Sequence, residues 1–414
     1  MSDVCSLTAS GLLTVDAALA QIKASLSALK NSEKIALQNA LGRILSAPVI
    51  AAIDLPSDRN SAMDGYAFSS ADIQSNQSFT LTLAGTSWAG RPFTGKLHAG
   101  ECVRIFTGAV VPDAADSIIM QEQVSAAESV ITFPANCRPF QNVREIGEDV
   151  KQHSLLLDAA KKLHAADLGL LAAAGISEIA VHSKVKIAIF STGDELVPLG
   201  QKLEPGQIYD SNRYILNGLL NDACFEVFDM GVLADDKRLV EQSLVIAAEN
   251  MDVIVTTGGA SVGDADYIQQ ILTECGEVNF WKIAMKPGKP LAFGRIGKCT
   301  FFGLPGNPIA VMATFEKIVK PALMQLSGAA MQKPLRLKAV CESNLKKSAG
   351  RLEYQRGIFK QNEQNEFVVE SAGQQGSHIL SSMSRANCYI VLAQECNGVR
   401  IGEEVIVEPF EVFL

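Results

Sequence analysis

The stretch Asp252-Val-Ile-Val-Thr-Thr-Gly-Gly-Ala-Ser-Val-Gly-Asp-Ala-Asp-Tyr-Ile268 decides how this chain is built. Its β-branched run Val253, Ile254, Val255 reads as a strand and the glycines as a turn. The apolar spacing through Ile268, Ile271 and Leu272 reads as the helix that follows. Glycines at the carboxyl end of a strand let backbone N–H groups face outward, and the start of a helix adds partial positive charge. Strand, loop and helix in this order suit an anion.

Two familiar motifs overlap the loop. Gly258 to Gly263 has the spacing of a phosphate-binding P-loop, but that motif continues with Lys and Ser or Thr, whereas Asp264 and Ala265 follow here. Gly259-Ala-Ser261-Val-Gly263 also fits the G-x-S-x-G elbow of a serine hydrolase. The elbow's triad needs a later histidine, and only His378 is available, in a region that reads as β structure. Ser261 is therefore assigned hydrogen bonding rather than nucleophilic attack, because no base is near it in sequence.

Outward from this loop, residues 184–326 alternate strands and helices. Strands are expected at Val185-Lys-Ile-Ala-Ile-Phe190, Val227-Phe-Asp-Met230, the 253–255 run and residues 300–304, with helices over 212–223, 237–249 and 309–325. Such alternation predicts a doubly wound, mostly parallel α/β sheet with its post-strand turns on one edge. Those turns are 191–195, 231–236, the Gly258 loop and Pro305-Gly-Asn-Pro308. Earlier in the chain, helices are expected over 15–29, with Thr14 as N-cap, over 35–45 and over 154–174, and residues 50–149 read as a β-rich module. After Pro334 helices are expected to vanish, and five strand patterns suggest a small β-barrel or sandwich.

The chain has 414 residues, 48% hydrophobic and 20% charged, enough for several globular domains. A net charge of −9 argues against wrapping nucleic acid. The opening residues lack a basic and apolar leader, and the apolar stretch 168–176 is too short to span a bilayer, so no membrane role is expected. Nine scattered cysteines without a C-x-x-C pair fit reduced thiols and a cytoplasmic location.

The predicted turn edge carries Asp194, Glu195, Asp235, Asp236, Asp264 and Asp266 beside an anion site. Like charges ~4 Å apart at an effective dielectric of ~20 cost ~4 kcal/mol per pair. A bridging cation resolves the conflict, and oxygen ligands with a phosphate suit Mg²⁺. Arg144, Lys282, Lys286 and Lys289 are the nearby cationic candidates.

Eight stretches in order resemble the MoeA-type molybdopterin molybdotransferases, a family that includes the gephyrin E domain. They are Ser61-Ala-Met-Asp-Gly-Tyr-Ala67, Thr107-Gly-Ala with Pro112 and Asp116, Arg144-x-x-Gly-x-Asp149, Ser191-Thr-Gly-Asp-Glu-Leu196, Asp210-Ser-Asn212, Gly258-Gly-Ala-Ser-Val-Gly-Asp264, Lys282-x-x-x-Lys-Pro-Gly-Lys-Pro290 and Gly303-Leu-Pro-Gly-Asn-Pro308. The resemblance implies a discontinuous helical domain (1–49 and 150–183), an inserted β-rich domain (50–149), an α/β molybdopterin-binding domain (184–330) and a C-terminal β-barrel (331–414). It implies a homodimer and transient contact with the molybdopterin adenylyltransferase. The implied reaction places molybdenum from molybdate onto adenylyl-molybdopterin, with Mg²⁺ bound and AMP released.

By position, Glu195, Asp235 and Asp266 would bind Mg²⁺ or orient the pyrophosphate, and Lys282, Lys286 and Lys289 would stabilise molybdate. Asp64, Thr107, Arg144 and Asp149 would act from the inserted domain. Gly258, Gly259, Ser261, Gly263, Pro305 and Pro308 would shape the loops, and Arg351, Arg356 and Ser377 would add anion contacts. Gephyrin's receptor clustering leaves a non-catalytic scaffold as the alternative.

Overall fold

A computed structural model describes residues 11–233, 236–258, 271, 274, 276–330 and 333–410. At its centre is a six-stranded sheet in the order Phe225–Leu233, Val185–Thr192, Val253–Thr257, Cys299–Leu304, Pro290–Ile296, Glu277–Lys282. The first three pairings are parallel and the last two antiparallel. The expected doubly wound sheet is therefore extended by an antiparallel edge that the sequence reading passed over.

Alternation along the buried strands divides the core into two layers. Ile187, Ile189, Val253, Val255, Phe302 and Leu304 face one layer, packed by Val15–Ser25, Asn212–Leu219 and the helical run that starts at Pro308. Ala188, Phe190, Ile254 and Phe301 face the other, where Val240, Leu244 and Ala247 of the helix Lys237–Asn250 cover them. Burying each phenylalanine of these layers contributes about 2 kcal/mol.

Four local expectations fail. Residues 35–45 are not a helix: Ser32–Ala36 is a strand paired with Glu178–His182, followed by a single 3₁₀ turn at Leu37–Asn39. Within 154–174, Leu155–Leu157 is a strand against Val49–Ile50, and the helix spans only Ala165–Ala173. Ala160 at φ +63° stops any earlier helix, and the Asp167 side chain accepts the His164 N–H to start this one. Among the described residues after Pro334 one helix survives, Leu380–Arg385. The first helix stops at Ser25, after which Leu29 N–H bonds the Leu326 carbonyl across the core.

The inserted module is a six-stranded sheet in the order Ser117–Met120, Gly65–Phe68, Glu101–Ile105, Phe79–Ser87, Val130–Phe133, Ser125–Ala127. In the C-terminal region Leu352–Gln361, Phe367–Ser371, Leu337–Cys341, Glu404–Pro409 and Cys388–Leu392 pair in sequence, and the last pairs back on the first, closing a five-stranded barrel. No helix among the described residues is long and apolar enough to cross a membrane.

Candidate active site

A cavity of about 800 Å³ opens between the carboxyl edge of the central sheet and the barrel. Gly258, residues 305–307 and the crossover 286–290 form the sheet side; Lys346, Arg351, residues 353–356 and residues 375–377 form the barrel side. Five of these residues are Lys or Arg and one, Glu353, is acidic, so the space suits an anion.

Neighbouring turns build the sheet side. The Thr257 hydroxyl donates to Ser191 Oγ at 3.2 Å and the Thr192 hydroxyl to the Thr257 carbonyl at 3.3 Å, tying two post-strand turns together. Gly258 lies at φ +87°, and a Cβ there would stand 2.8 Å from the Thr192 carbonyl oxygen. Asn212 Nδ2 donates to the Gly306 carbonyl at 2.7 Å, anchoring a third segment to the same edge.

On the barrel side, the short strand Met285–Lys286 pairs with Leu352 and Glu353. That register holds Lys286 Nζ 3.1 Å from Glu353 Oε1, and Gln355 Nε2 donates to the same oxygen at 2.9 Å. The Glu353 side chain is 6% exposed and the Lys286 side chain 46%, so a buried carboxylate steadies an ammonium that stays accessible.

Arg356 is buried and acts as a strut. Its Nε donates to Ser382 Oγ and its Nη2 to the carbonyls of Gln374 and Gly376. The loop so held offers the Ser377 carbonyl to Ile309 N–H at 3.2 Å, joining barrel to α/β core. Lys317 strengthens that junction: its ammonium lies 5.1 Å from the Tyr354 ring centroid and 4.8 Å from that of Tyr389, and it pairs with the buried Glu408.

Of the residues expected from sequence, Gly258, Lys286, Lys289, Pro305, Arg351, Arg356 and Ser377 line the cavity. Pro308 is the first residue of the helix Pro308–Thr314 at its border. Glu195 is exposed on the adjoining turn, its carboxylate folded back over Gly193. Lys282 is not among the lining residues; it is exposed at the end of the edge strand, its carbonyl taken by Leu13 N–H. Gly259, Ser261, Gly263, Asp235 and Asp266 lie outside the described residues.

Asp64, Thr107, Arg144 and Asp149 belong to the inserted module and its stalk and do not line their own chain's cavity. Asp64 Oδ1 accepts the Thr107 N–H and hydroxyl, both at 2.7 Å. The Thr107 N–H, then its hydroxyl, hold the Asp64 carboxyl below the usual carboxylate range. Arg144 pairs in register with Asn60, and Asp149 N–H donates to the Leu55 carbonyl.

Sequence reading missed Lys346 and Glu353. A carboxylate at an inward position of the pattern Leu352-Glu-Tyr-Gln-Arg356 was the available signal for Glu353. Lys346 carried none, since its neighbour Lys347 instead caps carbonyls inside the barrel.

A mainly parallel α/β core whose carboxyl edge meets a barrel at a cationic cavity defines a site for an anionic ligand. Three family descriptions match in order: the MoeA N-terminal region (domain I and II) over residues 13–175, the probable molybdopterin binding domain over 188–325 and the MoeA C-terminal region (domain IV) over 338–410. A molybdopterin molybdenumtransferase of Haemophilus influenzae is 44% identical across 97% of this chain and 100% of its own length. One from Nostoc is 33% identical over 92% and 89%. A molybdopterin biosynthesis MoeA protein of Pyrococcus horikoshii superposes with TM-score 0.84 at 28% identity, over 96% of this chain and all of that one. The chain belongs to the molybdopterin molybdenumtransferase family.

Proposed function

We propose that this chain transfers molybdenum from molybdate to adenylyl-molybdopterin and releases AMP. The observation that carries the reading is the cationic cavity shared by the sheet edge and the barrel. Lys286, Lys289 and Arg351 hold the molybdate dianion and the substrate phosphates. Their fixed charges act most strongly where charge develops in a water-poor space. Glu353 keeps Lys286 oriented toward the cavity, and Gly258 and Gly306 bring backbone close to the ligand. Residues 184–330 form the pterin-binding domain, with the other divisions as expected from the sequence.

Mg²⁺ fits the donor chemistry, because it binds through one or two carboxylates together with substrate oxygens. Exposed Glu195 offers one such carboxylate on the adjoining turn, and Asp235 and Asp266 are the further candidates. When bound, the ion would offset the negative charge of the pyrophosphate. Two copies associate, and Asp64, Thr107, Arg144 and Asp149 of one complete the cavity of the other. An adenylyltransferase hands over the substrate in a transient contact.

The test is single-turnover AMP release from adenylyl-molybdopterin with and without molybdate. Lys286→Ala is expected to lower the molybdate-dependent rate by roughly 100-fold, the scale of removing one group that stabilises developing charge. An unchanged rate in a folded variant would remove that lysine and the cavity from the reaction.

A further inference from the structure

Among the described residues, Lys289, Lys346 and Arg351 of the cavity wall have no side-chain partner, whereas Lys286 is paired with Glu353 and Arg356 is bonded within the barrel. Lys289 and Arg351 have a place in the reading above; Lys346 has none. It stands on the connection between the strands Leu337–Cys341 and Leu352–Gln361, where an exposed lysine is ordinarily a solvated charge. Its backbone is held more tightly than such a loop requires. Leu345 N–H donates to the Val399 carbonyl at 2.8 Å, and Val399 N–H returns to the Leu345 carbonyl at 3.0 Å. Lys347 is buried, and its ammonium donates to the carbonyls of Ser348, Gln394 and Cys396. Between them, the Lys346 carbonyl accepts from Gln355 Nε2 at 2.9 Å.

Gln355 is 3% exposed, and the same amide nitrogen donates to Glu353 Oε1, the oxygen that pairs with Lys286. One buried amide therefore links the placement of a sheet-side cation to that of a barrel-side cation. The two are held differently, and this separates what they suit. A buried carboxylate fixes the Lys286 ammonium itself, as a small ion kept in one place requires. Lys346 is fixed only at its backbone, and its four-carbon stem leaves a compact charge free to swing. Such a charge suits a phosphate whose charge and position change during the reaction. When a diphosphate bridge is cleaved, each phosphate gains an ionisable oxygen, and a phosphate monoester carries about −1.5 to −2 at neutral pH. Of the two monoesters formed, AMP is the one that leaves, and an exposed lysine can follow it toward solvent.

We propose that Lys346 is the barrel's contact for the phosphate of the nucleotide half of the substrate, engaged as AMP forms. The inference rests on the transferase reading above and adds the residue that receives the leaving group.

The test is equilibrium dialysis of AMP, adenosine and molybdate, each against the parent protein, Lys346→Ala and Lys346→Arg. Lys346→Ala is expected to weaken AMP retention by roughly tenfold, the loss of one hydrogen bond to a charged group, while Lys346→Arg retains most of it. Adenosine lacks the phosphate, and molybdate is held from Lys286, so the retention of both is expected to match the parent's. Equal AMP retention by parent and Lys346→Ala overturns the proposal, as does a loss of adenosine or molybdate as large as the loss of AMP. Dialysis needs no turnover. A parent protein that binds AMP through Lys346 yet releases none from adenylyl-molybdopterin would therefore overturn the transferase reading and leave the nucleotide contact standing.

Discussion

Gly258 meets two demands at once: a backbone at φ +87° and a contact with the Thr192 carbonyl that leaves no room for a methyl group. Alanine there is strained by about 1–2 kcal/mol in the left-handed region before any steric contact is counted. Gly258→Ala is therefore expected to lower Tm by a few degrees in calorimetry and to slow AMP release by displacing the turn. An unchanged Tm would mean that the turn relaxes freely. At this scale the sequence was readable where chemistry demands one residue type, as at Gly258 or in the lysines of the 282–290 segment. It was opaque where placement decides. Lys282 and Lys286 look alike on paper, yet pairing of Met285–Lys286 with the barrel strand turns one into the cavity, and the edge strand leaves the other outside.

Between elements, Asp222 and Lys162 join the segment after Asn212–Leu219 to the stalk of the inserted module. Burial alone would raise the Asp222 carboxyl, but hydrogen bonds from Lys162 and Cys224 N–H outweigh it and leave the group below its ordinary value. A carboxyl depressed by folding contributes stability in full above the unfolded pKa of ~3.9, and loses it as pH falls through the lower folded value. Asp222→Asn is thus expected to cost about 1–2 kcal/mol at neutral pH. The Tm gap from the parent should close only in the acid window below ~3.9; a gap that persists there would rule out the charge as its cause. Elements with local causes were legible, such as the strand Val253–Thr257 with its unbroken β-branched run. The strand Ser32–Ala36 was not, because its partner lies at Glu178–His182, and no local pattern announces a pairing of that separation.

For the whole molecule, the cavity and the inserted module's Asp64 occupy different parts of one chain, and Asp64 does not line its own chain's cavity. If each site is completed by a second copy, Asp64→Ala and Arg351→Ala are each inactive alone, yet coexpressed they regain roughly one quarter of parental AMP release on statistical pairing. No recovery in a verified mixed dimer would place both residues in one chain's site. The module itself hangs on paired strands: Val49–Ile50 lies against Leu155–Leu157, and Asn60–Ser61 against Val143–Arg144. Its chain therefore leaves and returns at nearly the same spot. A body tethered in this way can lengthen, shrink or be exchanged for another fold while its host registers little more than a change in the size of one loop.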